Sequence, residues 1–428
     1  MKKRFAGLGI IALIISSYLF VSSSRYSGQK NMEVLAAPEP LWPYECVDTM
    51  KTSRDKARSW QDSDALNNHI ESQMQAIVDM GGNCVALDTP YDEEFLPHLK
   101  KWVSAARSHD LHIWYRGNFS SWEGWFGYPS GMTADEHVRR TTQFIIENSD
   151  LFEDGDIFTP SPEAENGGPF NQVEPDEYEA FRAYLMREHT EAQKAFEMIN
   201  KKVTTNWLSM NGGLARRMLD QETADGLSNV VSLDHYIKTP EEMGEYIDYF
   251  SENLKSRVVI GEWGAPIPQI NGTMDESEQA QFIESLLWEM YIQRKHIDGI
   301  NYWVLYDGST SLTEQNGEYR EAMYEIQNYF KPGSIEGIVK NELDDPLHNV
   351  RIKLQRGGEE VLTDEKGVFI IPVPAGEHEL TFQHEDYKEK RRTVKVAQHQ
   401  VLTEQLTLKA IDHSWWKRIK MELQTWGR

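Results

Sequence analysis

Carboxylates that follow buried apolar runs are the residues here whose placement could do chemistry. Arg257-Val-Val-Ile-Gly-Glu262-Trp263-Gly264 holds three apolar β-branched residues, then a glycine, a carboxylate and an aromatic. Such a run reads as a buried parallel strand. A carboxylate ending a buried strand is costly unless it faces a cleft or has partners. Active sites of α/β proteins lie at the carboxyl ends of strands. Other strand ends in the chain carry Asp48, Arg116, Glu163 with Glu165, Asn206-Trp207, Asp234-His235-Tyr236 and Trp303. A Gly/Ser-rich loop adds Trp122 and Trp125. Indole faces stack on sugars, while carboxylates and amides hydrogen-bond hydroxyls. Two carboxylates flanking a glycosidic bond suffice to hydrolyse it, and in retaining enzymes they lie about 5–5.5 Å apart. Acyl transfer has little support without a Ser–His pair at a glycine-flanked turn. A metal hydrolase is equally weak, because neither H-x-H nor HExxH occurs.

Those residues need a scaffold that brings eight strand ends to one rim. From Trp42 to about Phe330 a short strand alternates with a helix eight times. The expected strands are Tyr44–Asp48, Asn83–Asp88, Leu111–Arg116, Asp156–Pro160, Val203–Asn206, Val230–Asp234, Arg257–Gly261 and Gly299–Val304. Apolar residues recur at three- and four-residue steps over Ser63–Met80, Asp176–Asn200 and Glu276–Arg294, the helix period. This α/β pattern predicts a (β/α)8 TIM barrel over residues 41–331. No Gly-rich phosphate turn follows the first strand, which counts against a doubly wound nucleotide fold.

After Lys331-Pro332-Gly333 the period changes to two, with Val350, Ile352 and Leu354 alternating with polar neighbours. Turn signals at Gly357-Gly358, Gly367 and Gly376 complete the pattern of a small β-sandwich over 332–409. In the tail, 410–428, Ile411, Trp415, Ile419, Leu423 and Trp426 share one helical stripe. That stripe fits a helix packed on the body or one lying in a membrane interface.

Lys2, Lys3 and Arg4 precede an apolar run from Phe5 to about Val21, the layout of an export signal. Residues 1–40 therefore read as a signal peptide or an uncleaved membrane anchor, followed by a tether. The body is expected outside the cytoplasm, extracellular, cell-surface or periplasmic, and a membrane is a partner only if the segment is retained. A net charge of −24 argues against nucleic acid. The two cysteines, Cys46 and Cys84, fall on neighbouring expected strands, as two buried thiols or one bridge. The sequence asks for no cofactor or metal, and a monomer is expected.

At Ile260-Gly-Glu262-Trp-Gly264, Asp234-His235-Tyr236 and Asn301-Tyr-Trp303-Val-Leu-Tyr-Asp307 the chain resembles the clan A glycoside hydrolases, the cellulase- and mannanase-like barrels. The resemblance covers about Trp42 to Phe330. It implies Glu262 as nucleophile, Tyr236 as the residue that orients it, and His235 and Trp303 beside the cleaved bond. Clan A carries Asn-Glu at the end of the fourth strand, and here Pro162 precedes Glu163. Glu163 is the expected acid/base, with Glu165 as the alternative, and Asn166 or Asn206 could supply the missing amide. Asp48, Arg116, Trp122, Trp125, Asn206, Trp207 and Trp263 complete the expected substrate-binding set. Ile335-Glu-Gly-Ile-Val, Pro346-Leu-His-Asn-Val350 and Thr363-Asp-Glu-Lys-Gly-Val-Phe369 resemble the carboxypeptidase regulatory-like domain, which implies an accessory module. The expected function is a retaining glycosidase acting on a carbohydrate. A catalytically inactive carbohydrate-binding barrel and a surface structural protein are the alternatives.

Overall fold

A computed structural model describes residues 38–60, 64–358 and 360–411. The expected signal or anchor segment lies outside the described residues, as does the tail beyond Ile411. Strands β1 (Tyr44–Asp48), β2 (Cys84–Leu87), β3 (His112–Tyr115), β4 (Ile157–Phe158), β5 (Ser209–Asn211), β6 (Val230–Asp234), β7 (Arg257–Trp263) and β8 (Ile297–Tyr302) form one parallel sheet. Its order is β4-β3-β2-β1-β8-β7-β6-β5. A parallel bridge between Ile157 and Thr204 joins the two ends. Two backbone bonds carry it, Phe158 N to Thr204 O at 2.8 Å and Thr204 N to Asp156 O at 2.9 Å. The sheet thereby curls into an eight-stranded barrel with helices outside it.

Helix faces explain the outer layer. Leu66, Ile70, Met74 and Ile77 of the helix Asp64–Met80 are all buried. Asp275 and Glu278 cap the helix Glu276–Ile292 reciprocally, at 2.8 and 2.9 Å, satisfying two free N–H groups.

The fifth strand departs from expectation. Val203–Asn206 contributes only the Thr204 bridge, and the regular pairing with β6 begins at Ser209. The carboxyl end of the strand is thus Asn211, five residues beyond Asn206.

Cys46 and Cys84 are paired in register on β1 and β2 and form a disulfide inside the barrel. Trp114, Ile157, Trp207 and Val259 pack with them. Both sulfur-bearing residues are fully buried.

Beyond the barrel come β9 (Gly333–Lys340), β10 (Arg351–Leu354), β11 (Val361–Leu362), β12 (Val368–Val373), β13 (Gly376–His384), β14 (Tyr387–Val396) and β15 (Val401–Thr407). They make two sheets, β11-β10-β13-β14 and β12-β9-β15. Alternate residues Ile352, Leu354, Leu380 and Phe382 fill the space between them. The module docks on the helix Glu276–Ile292. Trp288 Nε1 donates to Arg356 O at 3.1 Å and Tyr291 OH to Pro372 O at 2.8 Å. The Arg356 guanidinium lies 4.2 Å from the Trp288 ring centroid and pairs with Glu284.

The disulfide closes a separation of 38 residues. Loop-closure entropy predicts that Cys46→Ala with Cys84→Ala lowers stability by about 4 kcal/mol. Chemical denaturation of the double variant against the oxidised protein measures it.

Candidate active site

Glu262 stands near the end of β7, and a bulge sets where it points. The β6–β7 register runs Leu233 to Ile260, then Asp234 to Glu262, so Gly261 has no partner. Val259 faces the barrel interior, while Val258 and Ile260 face the helices. Unbroken alternation would turn Gly261 and Trp263 inward and Glu262 outward. The extra residue reverses the phase, a common use of bulges beside active sites. Glu262 therefore faces the cleft and Trp263 goes into the outer core.

Glycine is required at 261. A Cβ there would lie 2.4 Å from Asp234 Oδ1 and 3.1 Å from Ser209 Cβ. The Gly261 carbonyl accepts from Asn301 Nδ2 at 2.8 Å and from Arg116 Nη1.

Arg116 follows β3 directly and is buried at the centre of the site. Its Nη2 donates to Glu262 Oε1 at 2.8 Å and to Asp234 Oδ2 at 3.0 Å. Tyr236 OH donates to Glu262 Oε2 at 2.8 Å. Both Glu262 oxygens are thus held. Oxygens of Glu163, Asp234 and Glu262 lie within 4.8 Å of one another. Three carboxylates so placed could hold a cation, but Arg116 already serves two of them.

Glu163 follows β4 in a left-handed conformation, φ 43° and ψ 47°. A non-glycine residue there stores strain. Its N–H donates to Ser209 O at 2.9 Å, which ties the turn to β5. Glu165 faces elsewhere: its Oε1 accepts from Asn211 N at 2.7 Å.

Electrostatics separate the carboxyls. Burial pushes Glu262 up to about 8; Arg116 and the Tyr236 hydroxyl oppose the rise, while Asp234 and Asp48 add to it. Glu163 is driven well above the usual carboxylate range by burial, then by the charges of Glu262, Asp234 and Glu165, with only Arg116 opposing. Glu262, with its two donors, is the one that ionises first. Burial also raises Glu165 to about 7.

A cavity of about 220 Å³ lies beside this group, over the ends of β1 to β4. Arg116, Glu163 and the half-buried Trp125 line it, with Asp88, Glu123 and Asn166. Trp303 stands 6.0 Å from Tyr236, ring to ring, near edge-on. The His235 ring packs on Tyr246 at 3.9 Å, and the His235 backbone N–H donates to Glu262 O at 2.9 Å.

Five expected binding residues are placed otherwise. Trp122 is buried, stacked on Tyr184 at 5.4 Å and wrapped by Gly167 and Gly168. Trp263 is buried edge-on against Tyr302. Trp207 fills the barrel between Tyr44 and Trp114. The Asn206 amide donates to Leu227 O at 3.0 Å, because the strand ends later than its sequence suggests. Asp48 is fully buried, accepting from Met50 N at 2.7 Å and Asn301 Nδ2 at 3.3 Å, and supports the site from below.

Asp88, Glu123, Asp234 and Asn301 join the site although none belonged to the expected catalytic or substrate-binding set; Asp234 and Asn301 appeared only within the quoted motifs. Asp88, Asp234 and Asn301 sit at strand ends or, for Asn301, one residue before one, which was the available signal.

Residues 334–409 match the carboxypeptidase regulatory-like domain. No curated protein matches the chain. Among solved structures, an FMN-binding β-glucuronidase from Facaelibacterium prausnitzii aligns at 14% identity and TM-score 0.46, over 83% of this chain and 56% of that one. The chain thus spans little more than half of that enzyme. The tri-modular endo-β-1,4-glucanase B of Bacillus halodurans aligns at 11% and 0.44, over 79% and 73%. A fungal β-1,4-galactanase aligns at 12% and 0.45, over 67% and 99%. Alignments this distant decide neither chemistry nor substrate.

The Glu262 carboxyl, near 4.5 when exposed, titrates near 8 when folded. The folded state then keeps a proton that the unfolded chain releases, so stability falls as pH rises from 4.5 to 8. Glu262→Gln should remove that slope and exceed the native protein in stability by on the order of 5 kcal/mol at the upper end of the window. Melting curves of both proteins across it give the comparison.

Proposed function

We propose that this chain is an exported glycoside hydrolase that cleaves a polysaccharide or oligosaccharide with retention of anomeric configuration. The observation that carries the reading is the pair Glu163 and Glu262. Their oxygens approach within 4.8 Å, and of the two carboxyls it is Glu262 that accepts from Arg116 and Tyr236. Close spacing favours direct attack by one carboxylate over activation of an interposed water.

In the first step Glu163, kept protonated by burial and anionic neighbours, gives its proton to the glycosidic oxygen. Glu262 attacks the anomeric carbon as that C–O bond breaks, forming a glycosyl ester. Water then attacks the same carbon, Glu163 takes its proton, and Glu262 leaves as carboxylate. Arg116 and Tyr236 stabilise the departing and attacking forms of Glu262 alike. Trp125 and Trp303 offer ring faces and edges to the sugar. The buried Cys46–Cys84 bridge supports an oxidising compartment, in line with the basic and apolar N-terminal sequence.

One observation favours a second reading, a carbohydrate-binding barrel without turnover: Pro162 stands before Glu163 where clan A has an amide. The two readings part on reducing-end release from a polysaccharide panel. Hydrolysis should vanish in Glu262→Gln and fall about 10²–10⁴-fold in Glu163→Gln. Azide should restore bond cleavage to Glu262→Gly by replacing the missing nucleophile. Binding without release by the native protein would establish the binder. The kcat/KM profile should rise as Glu262 loses its proton and fall as Glu163 does, with both limbs above the ordinary carboxylate range.

A further inference from the structure

The cavity beside the carboxylate pair is lined by three carboxyl groups, Asp88, Glu123 and Glu163, and a neutral sugar brings no charge to stabilise their ionised forms. Asp88 is 2% exposed, lines the cavity, and its Oδ2 has no hydrogen-bond partner among the described residues. Its Oδ1 is 4.0 Å from Arg116 Nε, while the other Arg116 nitrogens serve Gly261, Asp234 and Glu262. Arg54, the second cation on the wall, is paired with Asp55 at 2.9 Å and lies 4.8 Å from the Trp125 ring centroid.

Glu123 is a second carboxylate on that wall, and its position is built from behind. Asn118 Nδ2 donates to Glu123 Oε1 at 2.9 Å. The buried His137 ring bridges Asn118 Oδ1 at 2.7 Å and Glu188 Oε1 at 2.6 Å. Tyr184 joins His137 at 3.0 Å to Ser161 at 3.1 Å, two residues before Glu163. One buried network therefore backs both the Glu123 wall and the Glu163 turn.

We propose that this cavity recognises a hexosamine unit with a free, protonated amine, held between Asp88 and Glu123. The proposal rests on the glycosidase reading of the same cleft. An ammonium supplies donors for a buried carboxylate that lacks one and offsets the charge on both. A uronic acid would add a carboxylate to a wall that already carries Asp88, Glu123 and Glu163. An acetylated amine would bring no charge. Trp125 gives the ring a flat apolar wall and Asn166 an amide for hydroxyls. Burial raises Glu123 to about 7 and Asp88 well above its usual range, with Arg54 opposing both, so each carboxyl favours its neutral form until a cation beside it offsets the cost of ionising.

Calorimetry on the full chain carrying Glu262→Gln tests the inference. The probes are glucosamine and galactosamine oligosaccharides, α- and β-linked, each paired with its fully N-acetylated parent. At least one free-amine member should bind tenfold or more tightly than its parent, with a preference that shrinks as salt is raised. Adding Glu123→Gln or Asp88→Asn should cut that preference to threefold or less. If either variant fails to fold, the paired comparison in Glu262→Gln still decides. Equal or weaker binding of every free-amine member overturns the proposal. Should the native protein hydrolyse neutral glycans in a Glu262-dependent way with no amine preference, the glycosidase reading stands and this one falls. Amine preference without hydrolysis of any substrate leaves the binding site and removes the hydrolase.

Discussion

The buried guanidinium of Arg116 is the constraint on which the rest of the site depends. It bonds Asp234, Glu262 and the Gly261 carbonyl, and its field reaches Asp48 and Asp88. Several carboxylates share one central cation in a space that water barely enters. Their pKa values rise because neither burial nor mutual repulsion is fully offset. A charge so placed is retained at a cost in stability, which is the usual mark of a working site. Asn301 and Asp48 serve the same end by fixing the Gly261 carbonyl that Arg116 must reach.

Such an arrangement demands backbone exactness at two places. On β7 the bulge at Gly261 turns Glu262 into the cleft and lets Asp234 come close, which no side chain at 261 would permit. Underneath, the Cys46–Cys84 bridge and the rings of Trp114 and Trp207 plug the barrel. A floor packed to that density leaves the residues above it few alternative positions.

The same bulge shows where sequence reasoning succeeds and where it stops. Short, largely apolar segments marked β1 and β6 with their observed ends, and the β-branched run Val258-Val259-Ile260 marked β7 by its first residue, because parallel strands buried on both faces have a strong apolar signature. The identity and rim position of Glu262, Arg116 and Tyr236 followed from those ends. Side-chain direction did not follow. Trp263 was expected in the cleft beside Glu262, yet one unpaired residue puts the two on opposite faces. Val203-Thr204-Thr205-Asn206 carries a strand signature, but the pairing surface lies beyond Trp207, so Asn206 and Trp207 were misplaced together. Trp122 and Trp125 sit in one loop with equal claims. Only the approach of Gly167 and Gly168, distant in sequence from both, decides which ring is covered.

Glu163 and Glu262 are chemically alike, and their difference comes wholly from what surrounds them. Glu262 receives a guanidinium and a phenol and is held in β7 just past the bulge at Gly261. Glu163 receives neither, sits in strained left-handed backbone, and is held by that backbone, its N–H on Ser209 O and its carbonyl accepting from Asn166 N at 2.8 Å. Pro162 contributes to this, since a ring with fixed φ and no side-chain donor stands where an amide could have reached the carboxylate or the sugar. The buried Tyr184–His137–Glu188 network stiffens the turn from the other side through Ser161. A carboxyl without donors, enclosed by anions and held by its backbone, keeps its proton; one with two donors releases it. In the proposed reaction that asymmetry, rather than the presence of two glutamates, is what would separate a proton donor from a nucleophile.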